Sequence, residues 1–272
     1  MNDLGMRMYR YEHVSKNFLI RQMPVIIRLD GRSFGAFTRH FNKPFDSLFI
    51  QAMWDTAKAL CAEVQNCRMA YVASDEISLV LLEKDINAQP YFDNQVQKIV
   101  STTAAFATMI FNQAFTRIVN RHFENIVDDV LTFDKLNFYV KKFNMAMFDS
   151  RAFNLPVNEV TNYFIWRQED YARNAVSQVA RSFYKQHDLQ NKSGRDLVDM
   201  IFEKNVEYYN DYAQHLRLGA VAFREEFLIP RSTGTCDTKD IGTDVIRHRW
   251  SIDNYIPEFV DSRHYIDSLV GI

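Results

Sequence analysis

Two apolar runs, MAYVA (69–73) and ISLVLLE (77–83), are separated only by Ser74-Asp75-Glu76. Three residues cannot carry a crossover, so the runs must reverse tightly and pair as antiparallel neighbours. Upstream, PVIIRLD (24–30) is β-branched and apolar, the pattern of a buried strand. Between that run and the hairpin, from Asp46 to about Gln65, apolar residues recur at helical spacing (Leu48, Ala52, Met53, Ala59, Leu60, Val64), with Asp46 or Ser47 as N-cap. Downstream, a helical stretch from about Tyr91 to Asn120 carries Val96, Ile99, Val100, Thr103, Ala107 and Ile110 on one stripe. After an acidic, irregular stretch, MAMFDSRAFNLP (145–156) reads as a strand closed by Pro156.

The order strand, helix, strand, strand, helix, strand predicts an α+β chain with a ferredoxin-like, split βαβ sheet. In that topology the first and third strands lie side by side and antiparallel. Asp30, where the first strand ends, then meets the Asp75-Glu76 turn at one edge of the sheet. Residues 1–156 form this core, and 157–272 form a mainly helical annex packed on it, with one continuous domain as the alternative. The annex reads as helices at about 158–186, 194–204 and 205–213, followed by strand-like LRLGAVAFRE and HRWSID. RSTGTCDTKDIGTD (231–244), rich in Gly, Ser, Thr and Asp, is the one flexible-looking segment.

A hydrophobic content of 47% supports a real core, and a net charge of −2 excludes a global positive field. Any nucleic-acid partner must be held by local patches; residues 1–66 (9 Lys+Arg, 6 Asp+Glu) and 140–200 (9 against 7) supply them. Three cysteines without CxxC spacing argue against a disulfide framework or zinc site. No stretch approaches 18 uninterrupted apolar residues, the first 20 lack a signal-peptide core, and Asp3 and Glu12 disfavour a transit peptide. The expectation is a cytoplasmic protein without a membrane partner.

Carboxylates that meet at a strand end repel one another unless a cation sits between them. Hard oxygen ligands on an open site suit Mg²⁺, which uses one or two carboxylates plus substrate phosphates. A pair of Mg²⁺ ions roughly 3.5 to 4 Å apart would activate an attacking hydroxyl and hold a leaving pyrophosphate, which points to phosphoryl or nucleotidyl transfer. On spacing alone, Asp30-Gly31 and Ser74-Asp75-Glu76 are equally ordinary turn chemistry, and only their convergence favours the metal site. The following RSFGAFTRHFNKPFD places Lys43 within reach of a triphosphate and Phe34 or Phe37 within reach of a base, against the alternative of a solvated loop with core aromatics. Lys98 is either a second phosphate clamp or a snorkelling surface lysine. Arg173, Ser177 and Arg181, spaced i, i+4, i+8 on one helix, either follow an RNA backbone or form a wet face.

The series RLDGRSF, NKPFD, SDEIS, FDSR and NYFIWRQ, in this order and spacing, resembles the tRNA-His guanylyltransferase superfamily, reverse polymerases that extend tRNA 5′ ends in the 3′-5′ direction. The resemblance runs from about residue 5 to 255. It implies a polymerase-like palm on which Asp30, Asp75 and the Gly31 carbonyl hold two Mg²⁺, with Glu76 beside them as a third catalytic carboxylate. It implies that Lys43, Ser74 and Lys98 contact the incoming triphosphate and that Arg151 is the family's basic residue at the nucleotide, beside Phe34 as read from the loop, and that ATP activates a tRNA 5′-monophosphate before the 3′-hydroxyl of GTP or another NTP attacks it. It further implies a homotetramer. Two departures carry information: Gly35 stands where many members carry His, and Arg173-Asn174 stands where enzymes dedicated to tRNA-His carry a His-Ile-Asn-Asn run. The second is similar to the "like protein" branch, whose members repair 5′-truncated tRNAs by templated addition; with the helix row read above, Arg173, Asn174 and Arg181 are the expected tRNA contacts. The alternatives are a dedicated guanylyltransferase adding G at position −1, a nucleotide cyclase on the same palm, and a non-catalytic RNA-binding module with the strand order of an RRM.

Overall fold

Along the chain run α1 (Asp3–Val14), β1 (Val25–Gly31), the single turn α2 (Phe34–Phe37), α3 (Ser47–Glu63), the hairpin β2 (Cys67–Ala73) and β3 (Glu76–Leu81), α4 (Val96–Glu124), α5 (Val130–Val140) and β4 (Phe148–Asn154). The second half holds α6 (Val160–Phe183), α7 (Gly194–Phe202), the short α8 (Tyr208–Asp211) and α9 (Gln214–Leu218), the hairpin β5 (Ala220–Ile229) and β6 (Val245–Asp253), and α10 (Arg263–Val270). This computed structural model describes residues 3–83, 85–124, 130–229 and 245–272. The flexible-looking segment 231–244 lies outside the described residues.

One six-stranded sheet has the order β4-β1-β3-β2-β5-β6, and every pair is antiparallel. Its first four strands are the split βαβ arrangement expected from the sequence, and β5 pairs with β2 to continue the same sheet. Alternation sends Val25, Ile27 and Leu29 of β1 to one face, where they pack with α3 and α4, and Ile26 to the other with Met69, Tyr71 and Val80. That second face is closed by Val160 and Phe164 of α6 and Ile266 and Val270 of α10. Both faces are therefore largely dry over β1, β2 and β3, which is why these strands read as nearly continuous apolar runs.

On the α3/α4 face the phenylalanines of the basic loop are core residues. Phe34, Phe37 and Phe41 are buried, and Phe34 lies 5.1 Å from the Phe148 ring and 5.5 Å from Phe111. Asp46 is the N-cap of α3, accepting from the Phe49 N–H at 2.9 Å.

Four elements differ from the sequence reading. The long helix starts at Val96 because Phe92, Asp93 and Asn94 take left-handed φ values of 50°, 52° and 60°. The residues LRL belong to α9, which ends at Gly219 (φ 84°); a Cβ at Gly219 would meet the Val72 carbonyl oxygen at 2.7 Å. Part of the acidic, irregular stretch is helix α5. The N-terminal helix α1 was not foreshadowed, since none of its residues is buried and no core-facing stripe marks it.

Candidate active site

Strand register brings the carboxylates together. Asp30, the penultimate residue of β1, stands opposite Glu76 of β3 on one side and Asp149 of β4 on the other. Asp75 sits in the turn before β3, behind Ser74 in a left-handed conformation (φ 54°), and the Gly31 N–H donates to the Asp75 carbonyl at 3.1 Å. Gly31 is fixed by packing: a Cβ there would fall 2.5 Å from the Phe34 ring.

Electrostatics mark the same spot. Burial, then the charge of Asp30, raises the Asp75 carboxyl to about 6. Burial, then Asp149, raises Asp30, while Arg151, Arg28 and Arg167 pull it back. Partly desolvated carboxylates, Asp75 raised by Asp30 and Asp30 by Asp149, form a site that gains from a cation.

Glu76 is held differently. Its Oε1 accepts from Arg167 Nε of α6 at 2.8 Å and from Ser78 Oγ at 3.2 Å. The guanidinium continues to Asp170 at 3.0 Å, and Asp170 accepts from Arg173 at 3.2 Å. A chain of alternating charges thus runs from the sheet edge to the exposed side of α6.

Beside the carboxylates opens a cleft of about 670 Å³. Residues 34–46 form one wall, Ser74 to Glu76 the floor, and Asp170, Asn174, Ser177, Gln178 and Arg181 of α6 the other wall. Of the residues expected from the sequence, Asp30, Phe34, Lys43, Ser74, Asp75, Glu76, Asn174 and Arg181 all line it. Arg173 stands outside that wall, paired with Asp170. Lys43 is exposed, and its Nζ donates to the Thr38 carbonyl at 3.1 Å. The turn bearing it is clamped from three directions: Asp46 accepts from the Asn42 N–H at 3.0 Å and from the Tyr139 hydroxyl, and Gln178 donates to the Pro44 carbonyl.

The structure does not bring Lys98 to this cleft. It lies in the first turn of α4, which starts at the far end of the sheet, and lines a second hollow with Tyr9, His13 and Lys16. Phe34 touches the cleft, but only 3% of its surface is exposed, so its ring is a core element. Arg151 lies on the edge strand β4, opposite Arg28 and paired with Asp149 at 3.1 Å. Sequence reasoning missed Arg167, Asp149 and Gln178 as parts of the site. For Arg167 a signal existed: it follows Tyr163 and Phe164 on the buried stripe of α6, where a charge demands a partner.

Among the described residues no three His, Cys, Asp or Glu side chains form a metal-binding group. A closed cage for a structural ion is thereby absent from them. Two carboxylates on an open, cation-lined cleft do fit Mg²⁺, which keeps coordination positions for water and substrate phosphate.

A palm-type sheet with paired carboxylates at its edge and basic groups across a cleft defines an enzyme that handles phosphorylated substrates. Its kinship is narrower. The profile of the Thg1, tRNAHis guanylyltransferase, family matches residues 5–156. A tRNA(His) guanylyltransferase of Debaryomyces hansenii is 26% identical over 79% of this chain and 80% of its own, and an uncharacterized mimivirus protein is 29% identical over 76% and 72%. A bacterial tRNA(His) guanylyltransferase (Thg1)-like protein, solved in complex with ATP, superposes with a TM-score of 0.78 at 31% identity, covering 98% of this chain and 99% of that one. The same kind of protein in complex with GTP gives 0.75 at 30%. The chain belongs to the tRNA(His) guanylyltransferase family and is a nucleotidyltransferase.

Proposed function

We propose that the chain is a template-dependent 3′-5′ nucleotidyltransferase that adds nucleotides to the 5′ end of 5′-truncated tRNA after ATP activates the 5′-monophosphate. The observation that carries this reading is the meeting of Asp30 and Asp75 at the floor of a cleft whose walls hold Lys43 and Arg181.

Asp30 and Asp75, with the Gly31 carbonyl, would hold Mg²⁺; when bound, the ions supply charge neutralisation and a lowered pKa for the attacking 3′-hydroxyl. Lys43 and Ser74 face the triphosphate of ATP or of the incoming GTP or other NTP. Arg167 fixes Glu76 beside the reacting atoms. The attacking hydroxyl forms a bond to the 5′ α-phosphorus as AMP leaves, or pyrophosphate where the end is a triphosphate.

Repair is favoured over dedicated addition of G to tRNA-His by Arg173-Asn174 on the cleft-side helix and by the full-length likeness to a bacterial Thg1-like protein. A non-catalytic RRM-type module is disfavoured because helices cover both faces of the central strands β1, β2 and β3. A nucleotide cyclase would leave the α6 wall of the cleft without a purpose. By its family, the protein is expected to assemble as a homotetramer and to work in the cytoplasm.

The deciding experiment supplies 5′-truncated, monophosphorylated tRNAs of several identities with ATP, Mg²⁺ and each NTP. Templated extension of several tRNAs is expected. Addition confined to an extra G on tRNA-His would overturn repair, cyclic product from NTP alone would establish the cyclase, and no extension would remove the enzyme reading.

A further inference from the structure

The cleft accounts for one of the two substrates that must meet at Asp30 and Asp75. The other approach lies over β1 and β4, where Trp166 of α6 stands by Arg28. This ring is 50% exposed, whereas the other two tryptophans, Trp54 and Trp250, pack against the core. Trp166 belongs to no core cluster among the described residues. Its inner edge rests on the buried Tyr163 at 5.9 Å, and its flanks are guanidiniums: Arg167 at 4.4 Å and Arg28 at 6.0 Å from the ring centroid.

The surroundings select for a ligand that is both flat and anionic. Arg28 has a buried Nε without a hydrogen-bond partner among the described residues, and it stands opposite Arg151 in register. Both arginines, with Arg167, act on Asp30. An exposed indole bordered by cations rather than by apolar side chains is a poor protein-docking patch and a good stacking platform, because every base offers a π-face and brings phosphates with it.

Placement favours the RNA end over a mononucleotide. Trp166 is absent from the cleft lining, while Asp30 and Glu76 stand between the cleft and the β4 edge. In a phosphoryl-transfer step the attacking hydroxyl and the leaving AMP or pyrophosphate lie roughly in line through phosphorus, so the RNA's terminal nucleoside, carried on a non-reacting oxygen, lies off that axis and needs a place of its own.

We propose that Trp166 is a binding residue that stacks on the nucleobase of the 5′-terminal nucleotide of the RNA substrate. This rests on the 3′-5′ addition read above. The ring adds no chemistry; it sets where the 5′ phosphorus lies relative to Asp30.

The test compares Trp166→Leu, which keeps an apolar side chain and removes the ring, with Trp166→Phe, which keeps a smaller ring. In steady-state extension, Trp166→Leu is expected to raise the KM for 5′-truncated tRNA about tenfold or more, with the KM for NTP within twofold of wild type. Trp166→Phe is expected to recover to within about threefold. A second readout needs no turnover: 2-aminopurine placed as the 5′-terminal base of the RNA should change fluorescence on binding wild type and not on binding Trp166→Leu. If only 2-aminopurine riboside triphosphate responds, the base belongs to the activating nucleotide and the proposal fails. Equal RNA affinity of Trp166→Leu and wild type also overturns it. Failure of wild type to extend any tRNA would instead sink the enzymatic reading, so the two failures are distinguishable.

Discussion

Asp75 is costly to the fold and, on the proposed reading, needed by the site. Its carboxyl is raised from 3.8 to about 6, chiefly by burial and then by Asp30. Well below pH 3.8 it is protonated in both states and costs nothing, and at pH 3.5 only about a tenth of the full penalty remains. As pH rises through 3.8 to 6 the unfolded chain ionises first, and above about 6 the penalty is complete, roughly 3 kcal/mol. Asp75→Asn is therefore expected to raise the Tm of the metal-free protein at pH 7.5, to leave it nearly unchanged at pH 3.5, and to abolish nucleotide addition. Thermal unfolding in EDTA checks this, and a lower Tm for the variant at pH 7.5 would refute it. Added Mg²⁺ should stabilise wild type at pH 7.5 and leave Asp75→Asn unmoved.

Arg167 is the opposite case, since its side chain and that of Glu76 are each 13% exposed. Removing one member of so buried a pair leaves an uncompensated charge, typically at roughly 3–5 kcal/mol. Arg167→Met should lose about that much unfolding free energy in urea, and Arg167→Met/Glu76→Gln should regain most of it; strictly additive losses would show that the pair is not coupled. The metal candidates were legible because aspartates at strand ends are visible once the strand order is known. Arg167 needed the third dimension to reveal its partner, and Asp149 needed the register of β4.

At the scale of elements, the 38–46 turn and α6 face each other across the cleft and are tied by Gln178 to Pro44, while Tyr139 of α5 holds Asp46 of the same turn. Tyr139→Phe deletes one hydroxyl from the clamp on Asp46 without changing ring packing against Phe41, 4.7 Å away. A several-fold rise in NTP KM with little change in tRNA KM is expected; a change in tRNA KM alone would detach this turn from the triphosphate. On the same wall, Gly35 has nothing within 4 Å of a notional Cβ. Gly35→His should thus fold normally, with unchanged Tm, and alter the relative use of GTP and ATP; a drop of more than about 5 °C would show that the space is needed.

Elements with a strong period were read correctly from sequence, namely the β2–β3 hairpin, α3, α6 and the strand that became β4. Those that failed had no buried stripe to betray them, as in α1, or hinged on left-handed residues at 92–94 that propensity does not mark.

Across the whole molecule, the hairpin β5–β6 and helix α10 finish what the first half begins. Tyr71 of β2 packs its ring 5.6 Å from Phe259 and donates its hydroxyl to the Leu218 carbonyl at 2.7 Å. Residues 1–156 expressed alone would expose Met69, Tyr71 and Val80 and are expected to aggregate or bind a hydrophobic dye, which light scattering and dye fluorescence would measure. Soluble, monodisperse behaviour would show that the core stands alone.

The contact of Tyr71 with Phe259 also bears on how the protein is made. β2 leaves the ribosome long before the residues that cover it. Until Phe259 and α10 arrive, that face of the nascent sheet is covered by α6 alone. A pause after β4, before α6 is made, would leave Met69, Tyr71 and Val80 uncovered for longer.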